Sequence, residues 1–108
     1  MLSKSDVQKW AIEILDRPDN YGTAEYNVAC YALWKTFDPG QREVFNQLLF
    51  HGPVYDGDVC SKVARDSLFP LGLAVRCCFK GEQGYTAASY RAYSVWQRTG
   101  ETSSKALG

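Results

Sequence analysis

The stretch that decides the fold runs from residue 41 to residue 96 and reads QREVFNQLLFHGPVYDGDVCSKVARDSLFPLGLAVRCCFKGEQGYTAASYRAYSVW. Its first part carries apolar residues at helical spacing, and a second such segment follows a short turn. An apolar, partly β-branched segment comes next, and glycine-containing turn residues follow it, which is typical of a β-hairpin. The order predicted for this stretch is therefore helix, helix, hairpin.

Capping residues indicate where the two helices begin and end. Asp38 is followed three residues later by Gln41, which is the pattern of a capping box. Gly52 suits the left-handed backbone conformation in which many α-helices end, and it is followed by a proline. For the second helix we expect Asp58 as the N-cap and Pro70 as the terminator, which gives bounds of about 58–69.

The two faces of the second helix are predicted from its apolar residues. Val59, Val63, Ala64 and Leu68 are expected to point inward. The residues expected to point outward are polar: Ser61, Lys62, Arg65 and Asp66.

The hairpin is expected to use a strand over 73–79, a turn over 80–84 and a returning strand from about 85 to 87. A final helix is predicted over 89–98. The fold class predicted for the chain is mainly α with a small β-hairpin.

Two further helices are expected before this stretch, over 5–16 and 23–36. The chain has 108 residues and 45% hydrophobic residues, a size and composition that favour one domain with one core. We therefore expect a single domain over 1–98 and a flexible C-terminal tail over 99–108.

Charge is distributed unevenly along a chain whose formal net charge is zero. Residues 1–58 carry five basic and nine acidic groups, and residues 59–108 carry seven basic and three acidic ones. Such asymmetry indicates one side that faces a polyanion. No apolar run is long enough for a membrane span, and the N-terminus lacks the apolar segment of a secretion signal, so we expect a cytoplasmic protein.

The spacing of the cysteines favours a structural role in packing over a metal-binding or redox role. Cys30, Cys60, Cys77 and Cys78 form no Cys-x-x-Cys pair, and His51 is not grouped with them. Cys77 and Cys78 would point to opposite faces of a strand, so at least one is expected to be buried. No catalytic constellation is visible, and we expect no enzyme activity, no metal and no cofactor.

In residues 41–96 the chain resembles winged helix-turn-helix proteins. The similarity rests on Val44, Leu48, Leu49 and Gly52 in the first helix of the motif, on Ala64-Arg65-Asp66-x-Leu68 in the second, and on Leu71-Gly72-Leu73-Ala74-x-Arg76 leading into the hairpin. Gly72 would let the chain turn sharply after the second helix. The whole chain also resembles small phage or prophage proteins.

The resemblance implies a transcriptional regulator or accessory factor that binds duplex DNA. Helix 58–69 would then be the recognition helix in the major groove, and the hairpin would be a basic wing. The residues that would contact DNA are Ser61, Lys62 and Arg65 on the helix and Arg76 and Lys80 on the wing. A homodimer is compatible with this function.

Asp56, Asp58 and Glu82 place negative charge beside the proposed DNA-binding residues, which departs from the pattern of a basic DNA-binding surface. An alternative function is favoured by the zero net charge of the chain and by its acidic N-terminal helices. The chain also contains seven tyrosines, a residue type that is enriched at protein interfaces. The alternative is a protein-binding module, for example a phage-type factor that docks on a host protein.

Overall fold

The computed structural model describes the backbone of residues 3–107 and the side chains of residues 3–99. The described chain is mainly helical and has a small three-stranded antiparallel sheet, which confirms the predicted fold class. The elements are α1 Lys4–Asp16, α2 Thr23–Lys35, α3 Pro39–His51, β1 Val54–Tyr55, α4 Lys62–Leu68, β2 Ala74–Phe79, β3 Glu82–Ala88 and α5 Tyr90–Leu107, with single 3-10 turns at Pro18–Asn20 and Asp56–Asp58.

The chain divides into two compact units. One comprises the residues up to Thr36 and those from Ser94 onward, and the other comprises Phe37–Tyr93. The single domain expected over 1–98 stays a prediction, and an equilibrium unfolding curve with one or two transitions would test it.

In the first unit α1 packs against α2. Helix α1 begins one residue earlier than predicted because Ser3 and Asp6 form a reciprocal capping box. The buried side chains of these two helices are small or aliphatic: Ala11, Ile14, Leu15, Ala29, Cys30 and Leu33.

In the second unit α3 packs against α4 and β3. The sheet order is β1-β3-β2, so β3 is the central strand. The buried residues of α3 are Gln41, Val44, Phe45 and Leu48. Strand β1 was not expected from the sequence, because its two residues are too few to show an alternating pattern.

The hairpin turn is tighter than the sequence predicts. Only Lys80 and Gly81 lie between the strands, with φ values of 52° and 81°. A two-residue turn with positive φ at both positions matches the right-handed twist of the flanking strands. Gly84, expected in the turn, lies in β3 with φ 88°, where the register between β2 and β3 shifts.

Helix α5 spans Tyr90–Leu107, whereas the sequence predicts a helix that ends at residue 98 and a tail over 99–108. The backbone of residues 99–107 is therefore helical. Gly108, the last residue of the expected tail, lies outside the described residues. None of the helices described over residues 3–107 combines the length and the apolar character needed to cross a bilayer.

Candidate nucleic-acid interface

Helix α4 begins at Lys62 rather than after Asp58. The hydroxyl Oγ of Ser61 accepts a hydrogen bond from the backbone N–H of Ala64 at 3.2 Å and so caps the helix. Asp58 instead ends a 3-10 turn and is not a cap, because the chain stays extended at the intervening Val59. Ser61 is half-buried, and its hydroxyl is engaged in capping the N-terminus of α4.

Two glutamines of α3 hold this segment in place. Gln47 donates from Nε2 to the carbonyl of Asp58 at 2.8 Å and accepts at Oε1 from the N–H of Cys60 at 3.0 Å. Gln41, which is buried, donates from Nε2 to Ser67 Oγ at 2.8 Å. The turn before α4 and the helix itself are therefore fixed against α3. Sequence reasoning missed both contacts, because glutamine carries no positional signal of its own.

Arg65 is buried, so the prediction that it faces outward is wrong. The residue is 5% exposed, and its Nη1 lies 2.8 Å from Asp56 Oδ1. Its Nε and Nη2 also donate to Asp66 Oδ1, at 3.1 and 3.0 Å. A buried guanidinium requires such partners, because removing it from water without them is strongly unfavourable.

Val63 takes the outward position that was assigned to Arg65. It is 83% exposed, although it was expected to point inward. The apolar pattern alone favoured Val63 as the buried residue. Arg65 is buried instead, because its guanidinium forms an ion pair with the carboxylate of Asp56. The inward face of α4 therefore consists of Ala64, Arg65 and Leu68.

Arg76 lies on β2 and belongs to the same ionic cluster. Its side chain is 56% exposed, and Nη1 lies 3.3 Å from Asp56 Oδ2. The guanidinium also lies over the ring of Phe69, 5.4 Å from its centroid. Asp56 thus joins Arg65 and Arg76, two residues far apart in the sequence. Two carboxylates, Asp56 and Asp66, accompany these two arginines, which leaves the cluster with little net charge.

Lys62 and Lys80 are both exposed. Lys80 lies in the hairpin turn, with Nζ 5.4 Å from the centroid of the Phe79 ring. Among residues 3–99 no ion pair includes either lysine. The structure therefore brings two of the five proposed residues together through Asp56, uses Ser61 as a cap, and leaves two lysines accessible to a polyanion.

A surface cleft of about 320 Å³ lies beside the start of α4. Its lining includes Glu43, Phe50, His51 and Cys60. Burial, followed by the negative charge of Glu43, raises the pKa of the Cys60 thiol. This shift disfavours the thiolate, which is the nucleophilic and metal-binding form. Within residues 3–99 no group of three or more metal-ligating side chains occurs.

The expectation that Cys77 or Cys78 is buried is wrong. Cys77 is half-buried and Cys78 is exposed, while Cys30 is the buried cysteine. Strand β2 is an edge strand, and its pairing with β3 is irregular between Cys77 and Phe79.

Comparison with known proteins finds no matching family model, no matching curated protein and no matching solved structure. The functional argument therefore depends on the geometry of α4 and the hairpin.

Proposed function

We propose that this protein binds duplex DNA as a winged helix-turn-helix protein, a small transcriptional regulator or accessory factor. The observation that carries the proposal is a helix, α4, whose inward face is anchored by Arg65 while Lys62 and Val63 remain exposed beside its start. A recognition helix reads base edges from its N-terminal residues, which must therefore be accessible. The hairpin β2–β3 supports the proposal as a wing with Lys80 in its turn.

The proposed contacts follow from the side chains that remain accessible. Lys62 would bind a phosphate or the acceptor edge of guanine, and Val63 would contact a thymine methyl group. Lys80 would bind the phosphate backbone. Arg76 would share its charge between Asp56 and a phosphate, because more than half of its side chain is exposed. Arg65 becomes a positioning residue.

The number of accessible cations limits the affinity. If Lys62, Lys80 and Arg76 each neutralise one phosphate, the logarithm of the association constant should fall with the logarithm of salt concentration with a slope of about −3. A monomer with this slope binds weakly at physiological salt. A homodimer on two half-sites would double the number of phosphate contacts, and its slope would be about −5.4, twice the unrounded monomer value of about −2.7.

The test is a salt titration of binding to a fluorescently labelled mixed-sequence duplex. The double variant Lys62→Ala, Lys80→Ala should lose most of the affinity at low salt and reduce the slope by about 2 for a monomer. The matched control is Lys9→Ala with Lys35→Ala, which removes two exposed lysines from α1 and α2. An unmutated protein with no affinity for duplex DNA at low salt would rule the function out, as would equal effects of the two double variants.

The second candidate, a protein-binding module, is favoured by large apolar side chains that are exposed in the second unit: Phe50, Tyr55, Val63, Val75, Tyr90 and Tyr93. Exposed apolar side chains that form a contiguous patch mark interaction sites. A pulldown from cell extract treated with nuclease tests this candidate, with Val63→Glu as the variant, because it introduces charge at an apolar position of α4 that is 83% exposed. Loss of a specific captured protein in Val63→Glu would support it, and capture of no specific protein by the unmutated chain would exclude it.

A further inference from the structure

Three aromatic rings form a row on the three-stranded sheet, and we call Tyr55, Tyr85 and Phe79 the aromatic row. The ring centroids of Tyr55 and Tyr85 are 5.4 Å apart with an edge-to-face geometry. Those of Tyr85 and Phe79 are 5.3 Å apart. Because these residues belong to β1, β3 and β2 respectively, the row crosses the whole sheet. Tyr55 is 47% exposed, so part of the row is open to solvent.

Two glycines fix the position of the Tyr55 ring. A Cβ atom added at Gly57 would lie 3.4 Å from Tyr55 Cδ2, and one added at Gly84 would lie 3.4 Å from Tyr55 Cε1. The ring therefore packs against backbone that carries no side chain. Tyr55 and Tyr85 are also register partners in the antiparallel pair β1–β3, which places their side chains on the same face.

The surroundings of the aromatic row are acidic. Burial, followed by the charges of Glu82, Tyr55 and Asp58, raises the pKa of Tyr85. Asp56 is a third carboxylate near the row, because its Oδ2 lies 3.8 Å from a Cβ added at Gly84. Asp56 is paired with both Arg65 and Arg76. Arg76 points to the other face of the sheet, because its register partner is Thr86 and not Tyr85, whereas Lys80 in the turn lies beside the row.

One ring of the aromatic row, that of Phe79, already makes a cation–π contact with Lys80 of the same chain. Lys80 Nζ lies over the Phe79 ring at 5.4 Å from its centroid, within the distance of a cation–π contact. Between residues 3 and 99 no such contact uses the faces of Tyr55 or Tyr85. Tyr55, which is exposed, offers the same chemistry to a cation from outside, and the half-buried ring of Tyr85 lies beside it.

We propose that the aromatic row binds an arginine side chain of a partner protein. The guanidinium would lie against the rings of Tyr55 and Tyr85, with the carboxylates of Glu82 and Asp58 as counter-charges. Arginine fits better than lysine because its planar guanidinium stacks on rings and is more weakly hydrated than an ammonium group. The inference does not depend on DNA binding, since it uses neither Lys62 nor the exposed side of α4.

Charge favours arginine over a nucleic acid on this surface. Single-stranded nucleic acids also stack on exposed aromatic rings, but such sites combine the rings with a positively charged groove. The charge of Asp56 is balanced by Arg65 and Arg76, so the carboxylates that set the charge beside the aromatic row are those of Glu82 and Asp58, with Lys80 as the cation of the turn. This balance disfavours phosphates and favours a cationic ligand.

The test uses fluorescence polarisation with a labelled hexapeptide of alternating glycine and arginine as the probe. Peptides that carry lysine or glutamate in place of arginine are the comparison ligands. We expect the arginine peptide to bind best and the glutamate peptide not to bind. Tyr55→Ala should weaken binding of the arginine peptide about threefold to fivefold, whereas Tyr55→Phe should preserve it. Glu82→Gln, an exposed substitution at the end of the turn, should weaken it about twofold.

The matched control is Tyr31→Ala, which removes a tyrosine of α2 that is 43% exposed and lies outside the aromatic row. It should leave binding unchanged. Equal affinity for the arginine and glutamate peptides, or equal effects of Tyr55→Ala and Tyr31→Ala, would overturn the proposal. Tighter binding of single-stranded oligothymidylate, lost in Tyr55→Ala, would assign the row to nucleic acid instead. If circular dichroism shows Tyr55→Ala to be unfolded, Glu82→Gln decides the result. The duplex titration with Lys62 and Lys80 variants remains a separate measurement.

Discussion

Helices α3 and α4 pack against each other, yet they are stabilised in different ways. Helix α3 has 13 residues, and its start is closed by two reciprocal hydrogen bonds between Asp38 and Gln41 at 2.7 and 3.0 Å. Its buried stripe is mainly apolar. Helix α4 has 7 residues, and its inward face contains the guanidinium of Arg65. A charged group thus occupies a position in α4 that an apolar residue would occupy in α3.

The difference follows from helix length. A helix of fewer than two turns forms few internal hydrogen bonds and does not repay the cost of nucleation by itself. Helix α4 must therefore obtain its stability from contacts with other elements. Asp56, Gln41 and Gln47 supply such contacts from outside the helix. We expect substitutions of these contacts to affect α4 more than comparable surface changes do.

The largest effect is expected for Arg65→Ala. This change leaves Asp56 with Arg76 alone and opens space beneath α4, so the free energy of unfolding should fall by about 3 kcal/mol. Urea denaturation would measure it. Lys62→Ala, at an exposed position of the same helix, is the control and should change the free energy by about 0.5 kcal/mol or less. Equal losses in both variants would contradict the assignment of Arg65 as the anchor of α4.

The next effect concerns the glycines that follow the two helices. Gly52 after α3 and Gly72 after α4 have φ values of 68° and 74°. Alanine at either position should cost about 1–3 kcal/mol because of this backbone conformation. A Cβ at Gly72 would also lie 2.7 Å from Arg91 Nη1, whereas one at Gly52 meets nothing within 4 Å.

The two glycine substitutions can therefore be separated by a second change. In an Arg91→Ala background, Gly72→Ala should cost about 0.5–1 kcal/mol less than in the unmutated protein. The cost of Gly52→Ala should be the same in both backgrounds. Thermal or urea unfolding of the four combinations gives the comparison. An unchanged cost of Gly72→Ala without Arg91 would show that backbone strain accounts for the whole effect.

The smallest effect is expected for the polar link between the two helices. Gln41 Nε2 donates to Ser67 Oγ, which in turn donates to the carbonyl of Ala64 at 2.6 Å. A double-mutant cycle of Gln41→Ala and Ser67→Ala should give a coupling of about 1 kcal/mol. A coupling of zero would mean that α3 positions α4 through Gln47 and apolar packing alone.

Much of α3 and of the hairpin could be predicted from the sequence. The Asp38 capping box and the end of α3 at Gly52 depend on neighbouring residues, and the structure confirms them. The bounds and faces of α4 could not be predicted. A helix this short shows less than two periods of its pattern, and its start depends on whether Asp58 or Ser61 accepts the capping hydrogen bond.

The candidate site was predicted in part. Lys62, Arg76 and Lys80 are exposed as expected, but Arg65 is not. An arginine in a short helix gives no local signal of burial, because its partner Asp56 lies outside the helix. The aromatic row has no sequence signature either, since its three rings come from three strands.

The sequence by itself determined the order of the α-helices described over residues 3–107, where α3 begins and ends, and where a hairpin must form. These features depend on capping, on glycine and proline, and on periodicity, all of which act between residues close in the chain. Only the tertiary structure decided which side of α4 is buried, which cations remain accessible and which aromatic rings meet. Those outcomes depend on contacts between distant residues, such as Asp56 with Arg65 and Arg76. Periodicity cannot anticipate a buried ion pair, because it ranks positions by hydrophobicity alone.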